Sequence, residues 1–315
     1  QMYENDGYSQ RDAAQCILKH NLFGLDIDER AAQLAYFAVM MKARQYDRRI
    51  FSRGIQPHVY AITESNDIDA YTRDYFTNND PQLKAALDSI INDLRDAKEY
   101  GSILTVAPVD FAALYARMDE VQNDISLYRE SALNSILPLI RVAEVMAQHY
   151  DVVVTNPPYR GINDVEVKLQ NFVKEKYPSS CSDLSTVFME KCSYLTKKSG
   201  YYSMINIPVW MSLASYADLR AKMLNNENIV NMLHLGRGMF GSDYGTTAFV
   251  ISSRNVDDYK GLYRKFFEKQ GAVEPEETKR KKFFIGTKDY ITNQSLYSLL
   301  PNKICLLYTS DAADD

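Results

Sequence analysis

The stretch that decides the fold reads Asp151-Val-Val-Val-Thr155-Asn156-Pro157-Pro158-Tyr159. Its first part is rich in β-branched residues, which is typical of a strand buried on both faces of a parallel sheet. The two prolines that follow fix φ at about −65° and remove two backbone donors. The sequence therefore predicts a buried strand that ends in a stiff turn, whose carbonyl groups stay available as hydrogen-bond acceptors.

The turn carries groups that suit chemistry at an amino nitrogen. The carboxamide of Asn156 and the carbonyl of Pro157, if both point at one amino group, accept both of its hydrogens. The nitrogen lone pair then stays directed at an electrophile, and no general base is needed beforehand. The ring of Tyr159 offers a flat face on which a planar base stacks. The alternative is an ordinary proline-rich turn with a surface tyrosine.

A second strand that ends in an acid lies upstream. Residues 22–26 form a short apolar run that ends in Asp26, and residues 29–44 carry strong helix formers with apolar residues three and four apart. An acid at the carboxyl end of a strand in a dinucleotide-type fold accepts hydrogen bonds from ribose hydroxyls. Asp26 is therefore a candidate nucleoside ligand, whereas Asp28 stands where the N-cap of the helix is expected.

The remaining patterns alternate between strands and helices. Helices are predicted at residues 182–198 and 219–224, and strands at residues 59–63, 201–207, 229–235 and 247–252. This alternation predicts an α/β fold with a doubly wound, mostly parallel sheet. Because 130 residues separate Asp26 from Asn156, far more than the roughly 30 of one βαβ unit, we expect a helical insertion at about residues 67–146.

Composition and charge limit the class of protein. The 315 residues are 46% hydrophobic and 24% charged, which is ordinary for a globular chain. A net charge of −5 gives no overall basic character of the kind seen in many nucleic-acid-binding proteins. No run approaches the roughly 18 apolar residues of a membrane helix, and the polar start does not resemble a signal peptide, so a cytoplasmic location is expected. The cysteines and histidines lack metal-ligand spacing, and no metal site is predicted.

The tetrapeptide Asn156-Pro157-Pro158-Tyr159 resembles the catalytic motif of amino-directed S-adenosyl-L-methionine-dependent methyltransferases, a Rossmann-like class I fold. The run from Gly24 to Ala35, together with the long insertion, looks most like the large N6-adenine-specific DNA methyltransferases of BREX-type phage-defence systems. The resemblance implies that S-adenosyl-L-methionine is the cofactor. It also implies that the four residues of the motif are catalytic, with a flipped adenine stacked on Tyr159.

The same resemblance assigns further binding residues. Asp26 occupies the place of the acid that holds the cofactor ribose, and Ile27 is expected near the cofactor adenine. In the family, a residue at the end of the third strand contacts the cofactor adenine. For this contact we prefer Glu64, with Asp110 as the alternative. Gly236, Gly238 and Gly241 fit a nucleotide-binding pattern, but the residues after them favour a strand rather than a helix. In the family this loop carries an aromatic that packs on the target base, and Phe240 matches that role or is a core residue.

The resemblance also predicts the domain organisation. Residues 1–255 are expected to form a methyltransferase domain that is incomplete at its N-terminus, because the first-strand glycine turn should precede residue 1. Residues 256–304 are expected to be a linker or the start of a target-recognition domain. Residues 305–315 resemble the translation of a sequencing adapter. We therefore predict little or no activity from the isolated chain.

The predicted function is site-specific N6 methylation of adenine in double-stranded DNA, in phage defence or restriction-modification. Other subunits of a defence system are possible partners, and no membrane partner is expected. Two alternatives remain open at this point. One is a methyltransferase that acts on a protein glutamine or on RNA, since the motif serves any planar amide or amino nitrogen. The other is a non-catalytic scaffold subunit that retains the fold.

Overall fold

The computed structural model describes residues 1–239, 245–269, 271–286 and 289–303. The chain divides into two compact units, Gln1–Gln148 and His149–Asp315. Each unit contains a sheet and the helices that pack on it. The predicted α/β class is confirmed.

The first unit is built around two parallel strands, β1 (Phe23–Asp26) and β2 (His58–Ala61), joined by the helix α3 (Glu29–Arg44). The side chain of Asp28 accepts hydrogen bonds from two backbone N–H groups of the first turn, so the predicted helix and its cap are confirmed. Apolar residues of α3 and of the segment after it, including Met40 and Ile50, form a core beside these strands.

Apart from the short 3₁₀ turn Ile50–Arg53, which lies between α3 and β2, the other helices of the first unit lie before β1 or after β2. The α-helices are α1 (Met2–Asn5), α2 (Gln10–Cys16), α4 (Ala70–Thr77), α5 (Pro81–Asp93), α6 (Ala97–Tyr100), α7 (Phe111–Gln122), α8 (Arg129–Ser131) and α9 (Leu137–Ala147). Shorter turns of 3₁₀- or π-helix occupy Ile17–Asn21, Ile50–Arg53, Gly101–Ile103 and Ala132–Ile136. The helices α4 to α9 fall where the helical insertion is predicted.

The second unit holds a sheet of six strands in the order β3-β4-β6-β5-β7-β8. The strands are β3 (Tyr150–Thr155), β4 (Thr196–Asn206), β5 (Asn228–Gly236), β6 (Thr246–Ser252), β7 (Lys260–Lys265) and β8 (Asp289–Asn293). The helices are α10 (Val167–Lys176), α11 (Leu184–Leu195), α12 (Ala217–Asn226) and α13 (Glu276–Ile285), with 3₁₀ turns at Ile162–Asp164, Pro208–Met211, Ala214–Tyr216, Gln294–Leu299 and Pro301–Lys303.

The pairing within the second unit differs from a mostly parallel sheet. β3 and β4 are parallel, as are β5 and β7, whereas β6 runs antiparallel to both β4 and β5, and β8 runs antiparallel to β7. The sheet is therefore mixed. The link from β5 to β6, residues 237–245, is shorter than the roughly dozen residues of a parallel crossover, so β6 runs antiparallel to β5.

The strand β3 is not buried on both faces, which corrects the prediction from its β-branched run. Val152 is 60% exposed and Val154 is 72% exposed, whereas Val153 packs against the core of the second unit. Among the described residues β3 pairs only with β4, and so lies at an edge of this sheet. Its apolar composition alone does not distinguish an edge strand from a central one.

The stretch after Val256 joins the sheet instead of running as a linker. It supplies β7, β8 and α13, and Tyr297 packs edge-on against Tyr263 of β7 at 5.8 Å between ring centroids. The side chain of Gln294 is buried and bonds to the backbone of Leu224 and Ile229. These contacts argue against a linker at residues 256–304. That this segment begins a target-recognition domain stays a prediction.

Candidate functional site

Asn156 follows the last residue of β3, at the edge of the sheet where the parallel strands end. Thr155 is paired with Met204 of β4, and Asn156 is exposed directly after it. The ring of Pro157 is buried, which anchors the turn, while Pro158 is exposed. The prolines supply the stiffness that the sequence predicts, because their φ is fixed by the ring.

The other end of the turn is held by the residues that lead into α11. The backbone N–H of Leu184 donates to the carbonyl of Arg160 at 2.9 Å, and Gly161 forms an isolated antiparallel bridge with Asp183. The carboxylate of Asp183 in turn accepts from the backbone N–H of Ser185 at the start of α11. The tetrapeptide is therefore fixed on both sides, by β3 before it and by this bridge after it.

The hydroxyl of Tyr159 stands between two oxygen atoms. It lies 2.8 Å from Oδ1 of Asn156 and 3.0 Å from the carbonyl oxygen of Ile205 on β4, and is placed to donate to either. Partial burial raises the pKa of this hydroxyl, so it stays protonated at neutral pH. The structure thus brings Asn156 and Tyr159 together, and adds Ile205, which the sequence reasoning missed.

A buried polar cluster lies next to Ile205. The side chain of Asn206 is fully buried, and its Oδ1 accepts from Nε1 of Trp210 at 3.1 Å and from Oγ1 of Thr247 at 2.8 Å. Buried polar groups with complete partners hold a backbone in one arrangement. The cluster therefore fixes the end of β4 that faces Tyr159. The sequence feature that could have indicated this cluster is a single Asn between two isoleucines at the end of a predicted strand.

Asp26 lies at the carboxyl end of β1, as predicted, and is exposed. Its Oδ1 accepts the backbone N–H of Asp28 at 2.9 Å, which orients the carboxylate. Beside it, Ile27 is 49% exposed. Gly101 approaches Ile27 with φ +63°, and a Cβ on Gly101 would lie 3.4 Å from the end of the Ile27 side chain. This close glycine was missed, because no pattern in the sequence links it to β1.

The structure distinguishes Glu64 from Asp110, the two candidates for the contact to the cofactor adenine. Glu64 is half-buried and follows β2 by three residues, which is the position expected for a contact from a strand end. Asp110 instead caps α7, where its carboxylate accepts the backbone N–H of Ala113 at 2.9 Å. Asp110 does not follow a strand, so only Glu64 keeps the predicted placement.

Gly236 is the last residue of β5, Gly238 follows two residues later, and the next strand, β6, runs antiparallel to β5. Gly236 and Gly238 adopt φ of +68° and +79°, and β6 begins at Thr246. The Arg237 side chain between them donates to the carbonyl of Gly271 at 3.0 Å. Phe240, predicted to pack on the target base, lies outside the described residues.

The sequence also contains a basic run, Lys279-Arg280-Lys281-Lys282, whose lysines make contacts within the protein. Lys279 is buried and donates to the carbonyl of Arg237, Lys281 pairs with Glu277 and Lys282 pairs with Glu268. These contacts favour a structural role for the run over one in phosphate binding.

A membrane span needs a long apolar helix, and a metal site needs at least three ligating side chains. Within the residues that the structure describes, neither a helix long and apolar enough to cross a membrane nor a group of three metal-ligating side chains is found.

Two bacterial proteins of greater length are similar to this chain. The adenine-specific methyltransferase BrxX of Escherichia coli O9:H4 (strain HS) is 37% identical over 292 residues, which are 83% of this chain and 24% of that protein. The adenine-specific methyltransferase PglX of Lacticaseibacillus casei (strain Zhang) is 33% identical over 323 residues, 96% of this chain and 26% of that protein. The chain thus spans about a quarter of the length of each relative.

One solved structure that is similar to this chain is a nuclease-deletion mutant of the Type ISP restriction-modification enzyme LlaGI in complex with a DNA substrate mimic. It matches 94% of this chain and 30% of its own length, with 14% identity and a TM-score of 0.45. The family model described as Eco57I restriction-modification methylase matches residues 20–240, which include Asp26, Glu64 and the tetrapeptide. On this match the chain belongs to the Eco57I restriction-modification methylase family.

Proposed function

We propose that this chain is the catalytic part of a site-specific DNA methyltransferase that transfers a methyl group to N6 of adenine. The observation that carries the proposal is the fixed turn Asn156–Tyr159 at the end of β3, with an exposed carboxamide next to a half-buried tyrosine. The family and the two relatives named adenine-specific methyltransferases support the choice of adenine over other amino-bearing groups. Phage defence or restriction-modification is the expected setting.

The chain's own groups suffice to orient the reacting nitrogen. The Oδ1 of Asn156 and the carbonyl of Pro157 accept the two hydrogens of the adenine amino group, which directs the nitrogen lone pair out of the base plane. The ring of Tyr159 supports the base from one face. Holding the nucleophile in this geometry lowers the barrier by removing rotational freedom before the reaction. With the cofactor bound, the nitrogen would bond to the methyl carbon as the bond between that carbon and the sulfonium sulfur breaks, and the extra proton on the nitrogen would then pass to water.

The residues at the end of β1 fit S-adenosyl-L-methionine. The exposed carboxylate of Asp26 is oriented by the backbone of Asp28 and suits two ribose hydroxyls, since an ionised carboxylate accepts several hydrogen bonds. Ile27 presents an apolar side chain with Gly101 close beside it, which suits the flat face of an adenine. Glu64 is the expected contact from the end of β2. When bound, the cofactor supplies a methyl group activated by its sulfonium.

Double-stranded DNA is the proposed substrate, and other subunits of a defence system are proposed partners. The LlaGI structure is of an enzyme in complex with a DNA substrate mimic. The mild net charge of −5 does not oppose this proposal. Three of the 41 acidic residues lie within residues 305–315, which contain no Lys or Arg.

The test is methyl transfer from radiolabelled S-adenosyl-L-methionine in a longer protein that contains this chain. DNA, RNA and a protein mixture are offered in parallel, and the labelled DNA is digested to nucleosides. We expect label in N6-methyladenine only, and none with Asn156→Ala. Label in RNA or in glutamine would replace the proposal with the other methyltransferase alternative. An absence of cofactor binding in calorimetry would leave the scaffold alternative.

A further inference from the structure

The hydroxyl of Tyr159 has one hydrogen but two oxygen neighbours. Oδ1 of Asn156 lies at 2.8 Å and the carbonyl oxygen of Ile205 at 3.0 Å, both within hydrogen-bond distance. One hydrogen cannot make two full hydrogen bonds, so one of the contacts brings two oxygen lone pairs together. Rotation of the Asn156 side-chain amide removes this contact between two acceptor oxygens. A half-turn about its last bond exchanges Oδ1 with Nδ2, and the exchange moves no other group.

Of the two acceptors, the carbonyl of Ile205 loses more free energy than Oδ1 of Asn156 if it does not receive the Tyr159 hydrogen. The pairing of β3 with β4 ends at Thr155 and Met204, so Ile205 is the first residue of β4 beyond the end of β3. Residue Ile205 is half-buried, whereas residue Asn156 is exposed. A carbonyl withdrawn from water loses more free energy without a donor than an exposed amide does. The O–H of Tyr159 is therefore best used on Ile205.

We propose that Asn156 is held with its amide nitrogen toward Tyr159, in a relay of two hydrogen bonds. Nδ2–H of Asn156 donates to the tyrosine oxygen, and the tyrosine O–H donates to the carbonyl of Ile205. All three atoms are then satisfied. Oδ1 is turned away from Tyr159 and faces outward to accept a hydrogen from the substrate; that the substrate group is the adenine amino group rests on the proposed function.

The relay makes the hydroxyl of Tyr159 a positioning group, in addition to the stacking role of its ring. Without the hydroxyl the carboxamide rotates freely, and part of the population presents Nδ2–H to the substrate amino group, where donor faces donor. Tyr159→Phe keeps the ring. We expect it to lower kcat about three- to tenfold, the value of one neutral hydrogen bond, and to leave KM for DNA unchanged.

The direct test is the NMR signal of the Asn156 side-chain amide in the 315-residue chain, labelled with ¹⁵N-asparagine. Asn156→Ser identifies the signal pair by its disappearance. In the unmodified chain we expect one of the two Nδ2 hydrogens to be shifted downfield and to exchange slowly with water. In Tyr159→Phe both effects should vanish, because the acceptor oxygen is gone.

Tyr201→Phe is the matched control. Tyr201 also lies on the second unit, on β4, and is 45% exposed. The control should leave the Asn156 signals in place, and circular dichroism should show that both variants fold. If Tyr159→Phe folds and the Asn156 signals do not move, the amide does not donate to Tyr159 and the inference is wrong.

This readout separates the inference from the proposed function. The spectra are recorded without cofactor or DNA, so they report the hydrogen bond and not the reaction. A relay that is present in a protein unable to bind S-adenosyl-L-methionine would overturn the proposed function and leave the inference standing. The reverse outcome, methylation of adenine with no Asn156 shift on Tyr159→Phe, would overturn the relay alone.

Discussion

His234 gives a prediction about the dependence of stability on pH. It lies on β5, with 3% of its surface exposed, and its ring packs edge-on against Phe267 at 4.7 Å between centroids. Its Nδ1 accepts the backbone N–H of Gly236 at 3.3 Å, and Lys265 is its cross-strand neighbour on β7. Burial, helped by the charge of Lys265, lowers the pKa of His234 from 6.5 to about 4. The imidazole is therefore neutral in the folded protein at pH 7.

The sign and size of the effect follow from these two pKa values. Because the folded pKa is the lower one, the unfolded chain binds more protons between pH 4 and pH 6.5, and stability falls as the solution is acidified through this range. The full difference corresponds to about 3 kcal/mol. About 2 kcal/mol of it is lost between pH 7 and pH 5. Protonation at Nδ1 also removes the acceptor for the backbone N–H of Gly236.

The assay is urea denaturation at pH 7 and pH 5, followed through a signal that reports on the second unit. It is carried out on the unmodified chain and on His234→Gln. Glutamine keeps a hydrogen-bond acceptor but does not titrate in this range. We expect the loss of unfolding free energy on acidification to be about 2 kcal/mol smaller in the variant than in the unmodified chain. Comparing the two chains cancels the carboxyl groups that titrate in both. Equal losses in the two chains would refute the reasoning.

Three further predictions concern the first strand and the C-terminal segment. Asp28→Ala removes the cap of α3, and urea denaturation should show a loss of about 1 kcal/mol; an unchanged midpoint would contradict this role. Asp26→Asn should weaken binding of S-adenosyl-L-methionine about tenfold, the value of a charge-assisted hydrogen bond, and calorimetry that finds equal affinity would exclude Asp26 as a ribose ligand. Arg220 is buried and donates to the carbonyl of Asn302 at 3.0 Å, so Arg220→Met should cost about 2 kcal/mol or more and speed proteolysis near residue 300; identical proteolysis rates would show that this contact does not hold the segment.

Local chemistry explains what was predictable from the sequence. The helix of residues 29–44 is specified by its helix formers and its cap, which act over one turn of chain. The stiff turn after β3 is specified by two prolines, whose effect is confined to their own and the preceding residue. The same holds for the acid at the end of β1. These features depend on neighbours in sequence, so a single chain reveals them.

Burial was less predictable, because it depends on what else packs nearby. The run of valines in β3 has the composition of a central strand, yet two of its side chains are exposed at the sheet edge. The polar stretch after Val256 has the composition of a linker, yet β7 and β8 extend the sheet. Composition records the average environment of a residue type and does not record which strand becomes its neighbour.

The α/β class, the acid at the end of β1 and the Asn156–Tyr159 turn could all be predicted from the sequence, because strands, helices, caps and prolines act through neighbouring residues. The strand order, the mixed pairing and the approach of Gly101 to Ile27 depend on how the elements pack in the folded protein. The same packing brings the Tyr159 hydroxyl to Ile205, 46 residues along the chain. The physical reason is that contacts between distant residues are fixed by how the folded elements pack together, and no periodicity or spacing in the chain encodes them.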